Sequence, residues 1–476
     1  MSKKKAPAVI LLYLFFAAAN LFSQSLYWGD PSVLVKSGAR FPAVASGSNL
    51  IAAVWQDFVP AEEGGGEVYL SLLTLKYSKE WEKNNRFAGP YAYFKQETPI
   101  FSLTVDQRGR ILVAVTLSEN STEILASTDG GRSFTTLAIV RSNATAVGPN
   151  LYVSASGNLL LFVTQETEDF LALYYSVSTD GSDWSGFRAL VDSQDLFMNF
   201  LPQHAVHLGR DYLIFQALAS DQELNYQLYL KESRDGGRSW GEKIPLAFDE
   251  TLDGRLETAA QFSNQRPFLF SLKGRIALAW ERQYSSQPPQ IYYGEIDREG
   301  KFIEPPERIT DGFSTCHFPR IINFRDQVYL TWFDNRRGED HIFIAGKKGF
   351  RWVHKDLSNI AGSSSFAHSV QLGDSLYLFW ENRFRENSSL VYLEPDQHVE
   401  SPMVRALNFY PDKPSRQDSV SIRWNIPHDS SGLAGFSYAW SLNPDAAVSR
   451  ELKFLSETQS VTLNADRDGA WYFLLS

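Results

Sequence analysis

The sequence predicts an all-β chain: a β-propeller of seven blades, with six as the alternative count, followed by a C-terminal β-sandwich module. Three observations predict it. Aromatic residues make up 14% of the 476 positions, and they sit in short apolar runs punctuated by Gly, Asn and Asp, which is the composition of strands rather than helices. A strand-start pattern recurs along the chain at blade-like spacing. A polar turn signature, S-x-D-G followed by an aromatic residue, occurs three times in phase with it.

Residues 1–25 read as a signal peptide: a basic head at Lys3, Lys4 and Lys5, an apolar stretch from Ala8 to Ala19, and small or polar residues up to Ser25. The apolar stretch is short for a bilayer span. An exported protein with no stable membrane span after cleavage is expected, in the periplasm, at the cell surface or secreted. Loss of the three lysines deepens the net charge from −10 to −13. Such a chain lacks the basic face that phosphate recognition needs, so nucleic acid is not an expected partner. A local arginine cluster can still hold a carboxylate. Cys316 is the only cysteine, so stability comes from packing and not from an intrachain disulfide. It reads as a core residue at a strand start.

The propeller is expected over residues 26–400. Strand starts appear at Phe41-Pro42, Pro99, Pro149, Leu201-Pro202, Arg266-Pro267, Phe318-Pro319 and Phe366, with the prolines from Pro42 to Pro319 roughly 50 to 65 residues apart. Each proline is expected at the first position of its strand, where no ladder donor is lost. A second, nearly continuous apolar run follows each start, as in Arg110 to Val115, Asn158 to Val163 and Ser375 to Trp380. Such a run suits a strand covered on both faces by neighbouring blades. The seventh copy runs out near Tyr392, and the segment from Ser25 to Val35 is expected to supply its missing strand and remove a sheet edge.

Beyond Pro402 the pattern changes to short alternating strands around Phe409, Ser419 to Trp424, Ser437 to Ser441, Ser460 to Leu463 and Trp471 to Leu475. This reads as a β-sandwich over residues 403–476. The stretches from Asp429 to Tyr438 and from Asp468 to Phe473 resemble bacterial fibronectin-III or Ig-like modules. Further strands normally follow in such modules, which leaves open whether the natural chain continues past Ser476.

The turn signature runs from Ser127 to Phe134, from Ser178 to Trp184 in a form one residue shorter, and from Ser233 to Trp240. Aspartate caps the turn amides, glycine supplies positive φ, and the aromatic packs back as a plug. These turns resemble the Asp-box, or BNR, repeats of sialidase-like propellers, and the resemblance covers most of residues 26–398. It implies that Asp129, Asp180 and Asp235 lie on the outer rim and serve the fold.

The sialidase resemblance also implies an arginine cluster that grips a carboxylate, an aspartate acid/base, and a tyrosine nucleophile assisted by a glutamate. Arg40-Phe41-Pro42 stands where that family carries Arg-Ile-Pro. Arg266, Arg282, Arg320, Arg336 and Arg383 are the further candidates for ligand binding. Asp57, Glu281 and Tyr284 are the catalytic candidates, with Glu62 and Glu63 nearby in the loop after Asp57. The W-x-[DE] stretches at Trp55, Trp280, Trp332 and Trp380 carry an acid and, in three cases, an arginine, which can simply pair and cap the loop. The histidines lack metal-ligand spacing and no phosphate-cradling glycine loop opens a helix, so neither a metal nor a cofactor is expected. The expected function is recognition of a glycan or of an envelope or extracellular protein. The alternatives are an active exo-sialidase or related glycoside hydrolase, and a structural bead of a larger envelope protein. Catalysis stays undecided at this point.

Overall fold

Consecutive valine, leucine and isoleucine cannot all point to one side of a strand, because successive side chains alternate faces. Runs such as Ile111–Ser118, Leu159–Glu166 and Arg210–Leu218 therefore require cover on both sides, and all three are buried over most of their length. The cover comes from repetition. A computed structural model describes residues 28–476 except 48, 61–65, 77–80, 92–97, 167–170, 193–195, 197, 219–223, 247–249, 253–254, 258–260, 349–350, 395–401, 411–412, 415, 417, 428–432 and 450. The proposed signal peptide and the pair Glu62 and Glu63 lie outside the described residues.

The described residues form strands and no helix. Seven four-stranded antiparallel sheets succeed one another. Their first strands are Ala39–Ser46, Phe101–Val105, Ala146–Val153, Met198–His207, Phe262–Leu272, Cys316–Phe324 and Ser363–Leu372. Each sheet contacts the next, and the seventh returns to the first. This is a propeller-type arrangement. The seventh sheet takes its fourth strand from Ser32–Val35, which pairs antiparallel with Asn387–Leu393. The sheet faces meet in separate apolar clusters. One holds Ile214, Leu228, Phe262, Leu278 and Trp280 between the fourth and fifth sheets, and another holds Ala277, Ala279, Ile291, Ile321 and Trp332 between the fifth and sixth.

The chain divides into two compact units, Pro31–Leu393 and the remainder. In the second unit, Val404–Ala406, Ser419–Trp424 and Ser460–Asn464 make one sheet, Tyr438–Ser441 pairs with Tyr472–Leu475, and Ile422, Trp424 and Phe436 form its buried core.

The prolines are placed differently from the expectation. Pro42, Pro149, Pro202, Pro267 and Pro319 lie inside their strands. Each follows a residue with positive φ: Phe41 (49°), Gly148 (61°), Leu201 (54°), Arg266 (45°) and Phe318 (52°). Phe366 (56°) occupies the same place before Ala367. At all six the pairing register shifts, as between Arg40 and Ala43 or between His317 and Arg320. A β-bulge frees one residue from the ladder, so proline is tolerated within the strand. Pro99 alone among the six prolines precedes its strand, and that strand has no shift.

Candidate functional site

The bulges generate the site. A left-handed backbone at a non-glycine residue costs about 1–2 kcal/mol, and such residues concentrate where the surrounding structure has a use for them. The amide of each bulged residue also leaves the ladder and needs another acceptor. Three of them find it on the second strand of the preceding sheet. Phe41 N donates to Glu381 Oε2, Arg266 N to Gln216 Oε1, and Phe318 N to Glu281 Oε1, each at 2.8 Å. In the second sheet, which lacks the bulge, Ile100 N donates to Gln56 Oε1 at 2.7 Å. Gln56, Gln216, Glu281 and Glu381 all directly follow an aromatic residue on the second strand. The recurrent feature is therefore an acceptor immediately after Trp or Phe that ties one sheet to the next.

Three bulged side chains meet on one face. The Phe41 and Phe366 ring centroids lie 5.7 Å apart, Phe366 and Phe318 5.1 Å, and Phe318 stacks on Phe333 at 5.6 Å. Arginines close both ends of this aromatic row. The Arg266 guanidinium sits 5.1 Å above the Phe318 ring and the Arg40 guanidinium 4.9 Å above Phe41. The row opens into a cleft of about 370 Å³ lined by Arg40, Phe41, Phe333, Asp340, Ser363, Ser365, Phe366 and Arg383. Beneath it, buried Glu381 accepts from Arg383 Nε and lies 3.9 Å from Arg40 Nε. A second buried carboxylate, Glu281, accepts from Arg266 Nη1 at 2.8 Å and lies 2.9 Å from His317 Nδ1. The arrangement presents cations and aromatic faces together, which suits an anionic ligand with an apolar face.

Of the six candidate arginines, Arg40, Arg266 and Arg383 thus share one face. The other three do not join them. Arg282 is fully buried, its guanidinium 4.1 Å from the Phe262 ring and 4.4 Å from Tyr292, with Nε donating to Asn264 Oδ1 at 3.1 Å. It cannot hold an external ligand. Arg336 is committed to Asp334, with Nη2 2.6 Å from Oδ2, and reaches Asp311 at 3.5 Å. Arg320 is not among the residues of the cleft; its guanidinium lies 4.9 Å from the Phe268 ring and its Nη1 donates to Pro319 O at 3.1 Å.

The catalytic candidates are also separated. Residues 281 and 284 are three apart on the strand Arg275–Tyr284, so their side chains leave opposite faces of the sheet. Glu281 turns to the sixth sheet, while Tyr284 packs on Phe262 at 5.6 Å in the cluster shared with the fourth. The structure thus places Glu281 and Tyr284 on opposite faces of this sheet and does not bring them together. Asp57 pairs with Arg86 Nε at 2.6 Å and lines a different cleft, of about 770 Å³, with Leu34, Lys36 and Trp55.

Asp129, Asp180 and Asp235 sit in turns that follow the third strands. Asp129 Oδ1 accepts from the amides of Arg132 and Ser133 and from Ser127 Oγ, and Oδ2 from Ser133 Oγ. Asp180 and Asp235 repeat the geometry through the amides of Ser182 and Ser239. The Ser133 side chain and amide hold the Asp129 carboxyl far below the usual carboxylate range. Cys316 is buried, and burial pushes its thiol up to about 12. Among the described residues no cluster of His, Cys, Asp and Glu could hold a metal ion.

Several histidines are kept neutral. Burial, with Arg320 as the nearby cation, pushes His368 down to about 3, and burial likewise lowers His354 and His207. An unfolded histidine titrates near 6.5, so between about pH 6.5 and 3 the unfolded chain binds more protons. Stability therefore falls as pH falls through that window. Thermal melts are expected to show Tm decreasing from pH 7 to 5, before most carboxylates protonate. His368→Asn should flatten this slope, and an unchanged slope would contradict the burial of a neutral His368.

No protein-family model and no curated protein matches the sequence. Solved structures do match. A polysaccharide lyase of family PL25, an ulvan lyase, aligns over 77% of this chain and 95% of its own with 11% identity and a TM-score of 0.53. A structure of the same description bound to -[GlcA(1-4)Rha3S]- aligns equally. The polysaccharide lyase Uly1 aligns over 78% of this chain and 91% of its own, with 10% identity and a TM-score of 0.50. At these identities the likeness concerns the fold: it supports a propeller-type architecture and not the sialidase family.

Proposed function

We propose that the chain is an exported seven-bladed β-propeller, carrying a C-terminal β-sandwich module, that binds an acidic glycan in the cleft between Arg40 and Arg383. The observation that carries this reading is the row Phe41, Phe366, Phe318 and Phe333, flanked by Arg40, Arg266 and Arg383 on one face. Aromatic rings offer a flat apolar surface for a sugar face, and guanidinium groups grip carboxylate or sulfate with charge-assisted hydrogen bonds. The folds that resemble this one include lyases, and one of these is bound to a uronate and sulfated-sugar repeat. On this reading the aspartate turns brace the rim, and residues 1–25 direct export.

Calorimetric titration with uronate-containing and sulfated oligosaccharides tests the reading. Wild type is expected to bind, and Arg383→Ala or Phe366→Ala to weaken binding about tenfold or more, the equivalent of one lost charge-assisted or stacking contact. Equal affinity in wild type and both variants, or preference for neutral oligosaccharides, would sink it.

A catalytic reading has one observation in its favour. Glu281 at 2.9 Å from His317 Nδ1 fixes the imidazole so that Nε2 is left as the acceptor, the form of a general base. Cleavage of an acidic polysaccharide that His317→Ala abolishes, with binding retained, would establish it. Intact polymer after prolonged incubation with wild type leaves recognition alone.

A further inference from the structure

The tryptophans of the W-x-[DE] stretches stand at one place in the repeat but are not covered alike. Each lies on a second strand and packs towards the preceding sheet: Trp280 with Ile214 and Leu228, Trp332 with Ala277 and Ile291, and Trp55 with Val370 and Phe379. Across the ladder Trp280 pairs with Tyr292 and Trp332 with Phe343, and these rings stack on the indoles at 5.9 and 6.1 Å. A second ring of the same sheet completes the cover, Phe302 at 5.9 Å from Trp280 and His354 at 5.2 Å from Trp332. Both tryptophans are fully buried, as is Trp380 opposite Val391. In the first sheet the residue opposite Trp55 is Ser71, and Ser71 in turn pairs with Arg86. Cross-strand partners share a face, so a serine and an arginine take the side that rings cover in the fifth and sixth sheets. Trp55 has no ring partner among the described residues and keeps 7% exposure. The seam stays open there, as the cleft of about 770 Å³ between the N-terminal strand Ser32–Val35 and the first sheet.

The lining is apolar where it is buried and cationic where it meets solvent. Trp55, Ser71 and Leu73 are buried, while Lys36 and Arg86 are exposed. Lys36 carries no ion pair among the described residues. Arg86 gives its Nε to Asp57 Oδ2 at 2.6 Å, and its guanidinium lies 4.4 Å from the Tyr69 ring centroid. A guanidinium has five donors, so the Asp57 contact leaves the Nη groups for another acceptor. One carboxylate therefore stands against two cations beside an open apolar surface. That combination suits an apolar body carrying one negative charge.

We propose that this cleft is a second binding site and takes a small aromatic carboxylate. Its ring packs against Trp55 over Ser71, as Phe343 packs against Trp332, and its carboxylate pairs with Lys36 and the Nη groups of Arg86. Aromatic pairs of this kind contribute beyond the area they bury, and the volume lies within the range of small-molecule sites, about 300–1,000 Å³. None of the cleft between Arg40 and Arg383 takes part, so the proposal stands apart from glycan recognition.

The probe is 2-naphthoate, titrated calorimetrically into the full chain, with neutral 2-naphthamide and acetate as controls. Wild type is expected to bind naphthoate about tenfold more tightly than naphthamide, the equivalent of one charge-assisted contact, and acetate not measurably. Ser71→Phe places in the first sheet the ring that Phe343 supplies in the sixth, and should abolish naphthoate binding without lowering Tm. Lys36→Met and Arg86→Met change exposed positions and need no repacking. Each should weaken naphthoate about fivefold to tenfold and leave naphthamide unchanged. Wild-type naphthoate binding that Ser71→Phe leaves intact, equal affinities for naphthoate and naphthamide, or no binding by wild type up to the solubility of the probe would overturn the proposal. Naphthoate affinity lost in Arg383→Ala but kept in Ser71→Phe would also overturn it, because the ligand would then sit in the other cleft.

Discussion

Glu381→Ala is expected to lower the unfolding free energy of the propeller unit by about 3 kcal/mol, measured by chemical denaturation of the full chain. Glu381 has no solvent exposure and accepts from Phe41 N at 2.8 Å, from Ser388 Oγ at 3.3 Å and from Arg383 Nε. The Phe41 amide stands at a bulge where no ladder carbonyl is available. Truncation would leave that donor without an acceptor at the junction where the seventh sheet meets the first, and a buried unsatisfied group costs about 1–3 kcal/mol. The Arg383 pair adds less, since Arg383 is 42% exposed and solvent screens it. Glu381→Gln distinguishes the contributions. Glutamine serves as the acceptor at Gln56 and Gln216, so this variant keeps the tie to Phe41 and should recover at least half of the loss. Equal destabilisation by alanine and glutamine would show that charge, not the tie between sheets, is what matters there.

Trp280→Ala is expected to cost about 3–5 kcal/mol, the range for removing a large aromatic side chain from a core. Trp280 is fully buried between the fourth and fifth sheets, its ring 5.9 Å from both Tyr292 and Phe302. Its Nε1 donates to Asn264 Oδ1 at 2.8 Å, and the same oxygen accepts from Arg282 Nε. Alanine would leave a cavity in a sheet interface that strand pairing holds apart, and would remove one of the rings around a buried arginine. Trp280→Phe retains most of the volume and loses the indole donor, so an intermediate value is expected. A loss under about 1 kcal/mol for alanine would mean that the interface collapses to fill the space, contrary to close packing of this seam.

The repeat was legible because it rests on short-range rules. Apolar runs at Ile111, Leu159 and Leu376, each after a strand start and a turn, are enough to mark strands covered on both faces, and these strands are present. The N-terminal segment was legible in the same way, since a seventh sheet with three strands needs a fourth, and Ser32–Val35 pairs there. The bulges were not foreseen. Phe-Pro and Leu-Pro at a strand start suit either a first strand position or a bulge, and local propensity does not decide between them. At the site, a count of arginines found Arg40, Arg266 and Arg383 but could not separate them from Arg282, although parity within the strand would have done so. Even positions from Trp280 to Tyr284 face the fourth sheet and Glu281 the sixth. His317, Phe333 and Asp340 were missed because their roles depend on pairing across sheets distant in sequence. The signal that could have found part of the site is the recurrence of phenylalanine at the strand start, at Phe41, Phe318 and Phe366.

By itself the sequence determined which segments become strands, that a strand unit repeats and where the pattern changes near residue 400, since periodicity, turn chemistry and burial on two faces act over a few residues; it left seven and six repeats both open. Only the tertiary structure decided which charges meet. Glu281 and Glu381 reach across to the next sheet, three phenylalanines at bulges converge on one face, and the Arg320 guanidinium lies over the ring of Phe268 from the preceding sheet. Those contacts follow from closing the ring of sheets, a constraint that no local stretch of sequence contains.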